Sequence, residues 1–326
     1  MRRRDFITLL GGAAAWPMAV HAQQRPLPVI GYLDPRLPET TQDGLSAFRT
    51  GLRETGYVEG ENVTIEYRWA ENQPDRLPAL AADLVRRRVY LIVTSGGAAA
   101  HLAAKAATTT IPIVFSSAID PVQAGLVSSL NRPGGNITGV SLMSVELMPK
   151  RLALLHELLP GTARFALLVN PSDPNTEQVI SSIQPAASTI GRQIDVITTA
   201  TIRDIDAGFG SLAQKQVSGV LIPPGPLFVA RRFQLVTLAA HYSVPVIYAQ
   251  RESAVAGGLM SYGPRLTDGN HQVGIYAARI LKGAKPADLP VVQSSKFELV
   301  INLQAARIIG INVPSTLLAT ADEVIE

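Results

Sequence analysis

Two pentapeptides 133 positions apart constrain the fold of this chain more than any other feature: Ile111-Pro112-Ile113-Val114-Phe115 and Val244-Pro245-Val246-Ile247-Tyr248. Each is a proline followed by a short apolar run. Proline lacks the N–H a sheet ladder needs, so it is tolerated at the first position of a strand and disfavoured inside one. The two pentapeptides are one pair in a longer correspondence. Apolar β-rich runs at 29–33, 63–67, 91–94, 113–115 and 137–140 are followed, about 130 residues on, by runs at 165–169, 194–197, 220–222, 246–248 and 259–261. Most carry no charge inside, as expected of strands covered on both faces. Helical patterns separate them, at 41–55, 77–88, 98–107, 145–159, 176–190, 205–216 and 228–241. Regular strand–helix alternation predicts parallel sheets with helices on both faces. A period this long is no solenoid repeat. It predicts two similar doubly wound α/β lobes. A further helical stretch at about 268–282, a Pro-rich turn, an apolar run at 297–303 and a helical 304–310 follow the second set. A helix after two complete lobes predicts that the chain returns to the first, so that several crossings form a hinge. The expected division is 27–142 plus about 265–296 for lobe one, and 143–264 plus about 297–326 for lobe two.

With 326 residues, 47% of them hydrophobic and 17% charged, the chain can bury a large core in each lobe. Aromatics are only 6%, so that core is aliphatic. Residues 1–22, MRRRDFITLLGGAAAWPMAVHA, have signal-peptide anatomy. A basic start precedes an apolar stretch from Phe6 to Val20, and Val20-His21-Ala22 offers a cleavage site before Gln23. Arg3-Arg4-Asp5-Phe6-Ile7 is similar to a twin-arginine export motif, which favours the Tat route over Sec. Export to the periplasm is therefore expected. Three of the 29 basic and one of the 26 acidic residues lie in this leader, so the rest of the chain carries only +1. That balance excludes a nucleic-acid partner. Arg86-Arg87-Arg88 closes a helical pattern, where cations complement the helix dipole. The absence of cysteine rules out disulfides, a thiol nucleophile, a thiolate metal site and acylation of a lipoprotein cysteine.

In open parallel sheets, ligands bind beyond the carboxyl ends of the strands, where helix N-termini present free N–H groups. The loops at those ends are rich in small polar residues. Lobe one offers Tyr32, Asp34, Ser95, Gly96, Ser116, Ser117 and Asp120; lobe two offers Asn170, Asn175, Pro224, Tyr248, Arg251, Glu252 and Tyr262. Several have a plain structural reading beside this one. Ser95-Gly96-Gly97 suits a helix start, Asp173-Pro174-Asn175 a cap and turn, Asp120-Pro121 a cap on a helix from Val122, and Arg251-Glu252 a surface ion pair. For an amino-acid ligand, Ser95, Gly96 and Ser117 would donate to the carboxylate. Glu252, Asp34 or Asp120 would take the ammonium, and Tyr32, Tyr248 and Tyr262 would stack on a flat side chain.

The chain as a whole resembles the tryptophan/tyrosine-type ABC transporter substrate-binding proteins. The resemblance is carried by Gly56-Tyr57-Val58-Glu59-Gly60-Glu61-Asn62-Val63 leading into Ile65-Glu66-Tyr67-Arg68-Trp69, by Arg76-Leu77-Pro78-Ala79-Leu80-Ala81 and by Asn131-Arg132-Pro133-Gly134-Gly135-Asn136. Gly257-Gly258-Leu259-Met260-Ser261-Tyr262-Gly263 and Lys296-Phe297-Glu298-Leu299-Val300-Ile301-Asn302-Leu303 complete it. It implies a type I periplasmic-binding fold whose lobes close on a small-molecule ligand and deliver it to an ABC permease, as a monomer and without a cofactor. It also implies cleft positions at Ser95, Ser116-Ser117, Asn170, Tyr248 and Tyr262. Pro223-Pro224-Gly225-Pro226 stands where the family would carry an acid, and Ala249-Gln250-Arg251-Glu252-Ser253 lacks the aromatics expected around Arg-Glu. Both departures imply a smaller or more polar ligand than tryptophan.

Two other classes compete. An exported enzyme finds little support. His101, His156, His241 and His271 form no metal motif, and Leu259-Met260-Ser261-Tyr262-Gly263 misses the first glycine of a nucleophile elbow. Gly208-Phe209-Gly210-Ser211-Leu212-Ala213 matches a dinucleotide pattern but falls inside a helical run. A ligand-presenting sensory module would share both fold and site with a transport component.

Overall fold

The computed structural model describes residues 26–326; the leader lies outside the described residues. The strands are β1 (Val29–Asp34), β2 (Thr64–Trp69), β3 (Leu91–Thr94), β4 (Ile113–Ser117), β5 (Ile137–Ser141), β6 (Arg164–Val169), β7 (Gln193–Thr198), β8 (Val220–Ile222), β9 (Val246–Tyr248), β10 (Met260–Gly263), β11 (Val292–Gln293), β12 (Glu298–Asn302) and β13 (Glu323–Ile325). The helices are α1 (Gln42–Glu54), α2 (Leu77–Arg86), α3 (Ala98–Ala107), α4 (Met148–Leu158), α5 (Thr176–Thr189), α6 (Ile202–Ser211), α7 (Pro226–Ala230), α8 (Arg232–His241), α9 (Arg251–Val255), α10 (Leu266–Leu281), α11 (Leu303–Ile308) and α12 (Ser315–Ala319).

The strands form two sheets, in the orders β2-β1-β3-β4-β5-β11 and β7-β6-β8-β9-β10-β12-β13. Each begins with the doubly wound order 2-1-3-4-5, with a switch point between its first and third strands. The paired prolines do equivalent work. The Pro112 carbonyl accepts from the Ile92 N–H at 2.8 Å, and the Pro245 carbonyl from the Val220 N–H at 2.9 Å. Proline costs no ladder bond there, because only its carbonyl is used. The two-lobed α/β architecture is thus as the alternation predicts. Two strands depart from it: β12 runs antiparallel to β10, and β13, parallel to β12, runs the same reversed way.

The central strands are buried on both faces. Val220–Ile222 and Leu91–Thr94 carry no exposed residue. The edge strand β2 instead shows Glu66 and Arg68, which form ion pairs with Arg87 and Asp83. Arg86 and Arg87 at the end of α2 both pair with Asp83, in keeping with a solvated helix end. The chain passes between the sheets three times: after β5, after β10 and after β11. Helix α10 returns to the first sheet and packs on α1 at very close range. A Cβ at Gly51 would lie 2.1 Å from the His271 carbonyl oxygen, and one at Gly274 would lie 2.2 Å from that of Phe48. The long helical pattern at 228–241 is broken at Arg231 into α7 and α8. No helix begins at Val122. The Asp120 carboxylate accepts from the Val122 and Gln123 N–H groups, closing a turn. The Gly208–Gly210 pattern lies within α6, away from any strand end.

Candidate functional site

The carboxyl ends of both sheets face one cleft, which three adjoining hollows divide. The inner hollow takes Arg36, Ser95, Gly96, Gly97, Ser116 and Asn270 from the first-sheet side. Asn175, Pro224, Gly225, Pro226, Val229 and Gln250 come from the second. An outer hollow shares Arg36, Gln250 and Asn270 and adds Thr41, Asp43, Arg232 and Glu252. A side hollow runs past the start of α3 between Asn72, Gly97, Ala98, Asn170, Asp173 and Leu227. A Cβ on Gly97 would lie 2.9 Å from Pro226, so the two sides touch where the inner and side hollows meet.

The fixed point of the inner hollow is the buried pair Asp34–Arg36. The Arg36 Nε and Nη2 donate to the two Asp34 carboxylate oxygens at 2.9 and 2.7 Å, and the Arg36 backbone N–H donates to Oδ1 at 2.9 Å. Burial works against the guanidinium charge, but the adjacent carboxylate more than offsets it and holds the pKa above the ordinary arginine value. Gly96 has φ +83°, and a Cβ there would lie 2.7 Å from both Arg36 Nε and Asp34 Oδ1. The pair therefore rests on a stretch of backbone that only glycine fits. Opposite it, Ser95 Oγ donates to Asn270 Oδ1 at 3.2 Å, and Asn270 Nδ2 donates to the Leu266 carbonyl. Asn175 is buried, with an Oδ1 that has no partner among the described residues. In the side hollow, burial raises the pKa of Asp173, whose carboxylate lies against Gly225.

The structure brings Ser95, Gly96, Ser116, Asn175 and Pro224 together in the inner hollow. Glu252 lines the outer one, and Asn170 the side one, where its Oδ1 accepts from the Ser172 N–H. The other expected residues are elsewhere. Asp34 is fully buried behind Arg36 and has both oxygens committed. Ser117 is turned into a tight bend with Ile119. Asp120 caps its own turn. Arg251 forms a fork with Glu323 of β13, an ion pair with a distant partner in place of the neighbouring Glu252. Tyr32, Tyr248 and Tyr262 line none of the three hollows. Tyr32 packs into the first core against Phe48 and Tyr67; its hydroxyl comes near Ser95 without bonding to it. Tyr248 is buried in the second core with its hydroxyl unpartnered, and burial raises the pKa of both phenols. Tyr262 leans on Phe297. Strand periodicity explains the correction: these rings point to the helix-covered faces, not off the strand ends.

Gln250 belongs to a strand-end loop the sequence points to, whereas Arg36 and Asn270 are not among the expected residues. Arg36 stands two positions beyond a strand-end acid, a spacing that permits the Asx-type fork seen here. Asn270 is a polar residue on the buried face of α10, a conflict with that helix's amphipathic pattern. No helix is long and apolar enough to cross a membrane among the described residues, and no cluster of three metal-ligating side chains occurs among them.

Two α/β lobes with a shared polar cleft at the carboxyl ends of their sheets define a solute-binding protein of the type I periplasmic-binding class. The chain belongs to the ABC transporter substrate binding protein family, whose profile matches residues 39–325. This bears out the family resemblance carried by the long sequence strings. A tyrosine-binding protein of Clostridioides difficile is 28% identical over 256 residues, which is 78% of this chain and 73% of that one. A conserved domain protein from Vibrio cholerae superposes with a TM-score of 0.85 at 26% identity, covering 91% of this chain and 99% of that one. An ABC domain from Streptococcus pneumoniae solved in complex with L-Trp gives 0.83 at 24% identity, with coverage of 92% and 100%.

Proposed function

We propose that this chain is the periplasmic capture component of an ABC importer, taking a small polar or amino-acid-like solute into the inter-lobe cleft without transforming it. The observation that carries this reading is the inner hollow. It draws polar side chains from both sides of the cleft, Asn175 and Gln250 from one and the already anchored Arg36 and Asn270 from the other, and the buried Asn175 Oδ1 has no partner among the described residues. A solute touching both sides favours the closed arrangement by its differential affinity for it. The names of the relatives, one tyrosine-binding and one holding L-Trp, support an amino-acid-like ligand. The departures at Pro223–Pro226 and Gln250, and a cleft with no tyrosine ring in its walls, favour a ligand less aromatic than tryptophan. In this reading residues 1–22 are removed on export by the Tat route. The lobes comprise 27–142 with 265–296 and 143–264 with 297–326, and the protein works as a monomer beside its membrane permease.

The test is direct. The mature protein is purified, denatured, and any released solute identified by mass spectrometry. L-tyrosine, L-tryptophan and a panel of small acids and amides are then screened by thermal shift, since a ligand of the folded state alone raises the melting temperature. Recovery of the bound solute unchanged is expected. Its chemical conversion on incubation would instead make the protein an enzyme.

A further inference from the structure

We propose that Arg36 anchors a carboxylate of the ligand, so that the captured solute is a carboxylic acid held by its acid end in the inner hollow. This rests on the solute-capture reading above and narrows it to a chemical class.

Arg36 is only 8% exposed, yet it lines both the inner and the outer hollow. Asp34 engages Nε and Nη2; Nη1 makes no hydrogen bond among the described residues. A guanidinium cannot shed its proton at working pH, so Nη1 stays a charged donor open to a solute in the cleft. The Asp34 fork fixes the plane of the group in advance, so the remaining N–H bonds are presented to the cleft with little entropy left to lose. Arg36 is also the one charged residue lining the inner hollow among those described. Asp34 itself is fully buried behind it. Asp34 already pairs two of the guanidinium N–H groups, and a ligand carboxylate would give the remaining ones a charge-assisted acceptor, a stronger hydrogen bond than a neutral ligand group offers.

A second, independent donor set converges on the same place. Helix α3 is ten residues long and starts from Gly97 with no side-chain cap. Gly97 borders the inner hollow, and Ala98 and Ala99 border the side hollow beside it. The first N–H groups of a helix carry its positive end and suit a carboxylate. The Gly96 backbone joins the two donor sets. Its positive φ turns the chain into α3, and its missing Cβ makes room for the Asp34–Arg36 fork. From the opposite lobe, the buried and unpartnered Asn175 Oδ1 can accept an N–H or O–H of the same ligand beyond its acid group.

The experiment is isothermal titration of the mature protein with matched acid and primary-amide pairs. The pairs are L-tyrosine and L-tyrosinamide, L-tryptophan and L-tryptophanamide, and 4-hydroxybenzoate and 4-hydroxybenzamide, together with any solute released on denaturation. Every binder is expected to carry a carboxylate, and amidation is expected to weaken binding at least about tenfold, as loss of a charged hydrogen bond does. The double variant D34N/R36Q keeps the fork's shape and removes both charges. It is expected to lose at least about tenfold in affinity for the same acid while the ligand-free protein melts near the parent temperature. If that variant fails to fold, R36K retains the charge without the fork, and weaker acid binding is again expected. A neutral amide that binds as tightly as its acid, or a variant with unchanged affinity, overturns the anchor and leaves solute capture standing. Failure of every probe to bind, with no solute released, overturns both.

Discussion

Arg151 Nε donates to the carbonyl oxygen of Tyr262 at 2.7 Å, joining helix α4 to the end of strand β10. The same side chain donates from Nη1 to the Ser144 carbonyl at 2.7 Å and from Nη2 to Ser144 Oγ at 2.9 Å. Ser144 lies in the first connection between the sheets, and Tyr262 immediately precedes the second. One side chain thus clasps two of the three crossings. It is fully buried with no carboxylate paired to it among the described residues, and burial pushes its pKa down to about 9. Arg151→Met fills a similar volume but strands three acceptors. A loss of about 3 kcal/mol or more is expected, read as a lower midpoint in urea unfolding.

Replacing Gly51 by alanine is expected to destabilise by about 2 kcal/mol or more, because the new methyl meets the backbone carbonyl of His271 and backbone cannot rotate away. Helices α1 and α10 would have to separate. Gly161→Ala places its methyl in open space and is expected to leave the melting temperature unchanged. Calorimetry of the two variants side by side makes the comparison.

Burial pushes His101 down to about 4 from its ordinary value of 6.5. Its ring is fully buried beside Phe115, Nδ1 lies 2.8 Å from Thr94 Oγ1, and Nε2 has no partner among the described residues. The unfolded chain therefore takes up a proton below pH 6.5 that the folded one refuses. Stability is unaffected by this group above pH 6.5 and falls as the pH drops from there toward 4, by about 2 kcal/mol at pH 5. His101→Gln should lack that share of the loss. Urea midpoints of both proteins at pH 7 and pH 5 are the measurement.

Helix α6 opens with a capping box. The Thr201 hydroxyl accepts from the Asp204 N–H, and the Asp204 carboxylate accepts from the Thr201 N–H. Thr201→Ala should cost about 1 kcal/mol and speed amide hydrogen exchange in the first turn of α6.

The strands were the most legible part of the sequence. Leu91–Thr94, Val220–Ile222 and Val246–Tyr248 fall where their uncharged apolar runs stand. Strands covered on both faces leave a signal that does not depend on their neighbours. Strand β11 has two residues and was not legible at all. It exists because Val292 and Gln293 find the free edge of β5, a condition met only after the chain returns from the second sheet. The break between α7 and α8 was missed for a related reason: an apolar stretch reads as one helix unless a residue such as Gly or Pro interrupts it, and Arg231 gives no such sign.

The cleft divides the same way. The sequence by itself determined that the chain is a two-lobed α/β protein of the ABC transporter substrate binding protein family, and that small polar loops cluster at one end of both sheets. Those properties are written in local periodicity and in long strings of residues. Only the tertiary structure decided which loop residues reach a ligand. It committed Asp34 to Arg36, gave Arg251 to Glu323, and turned Tyr32 and Tyr248 into the cores. It also brought Asn270 to Ser95 across 175 positions of chain. A side chain's role in a cleft depends on the face it is carried on and on the partners that arrive from distant elements, and neither exists until the lobes are built.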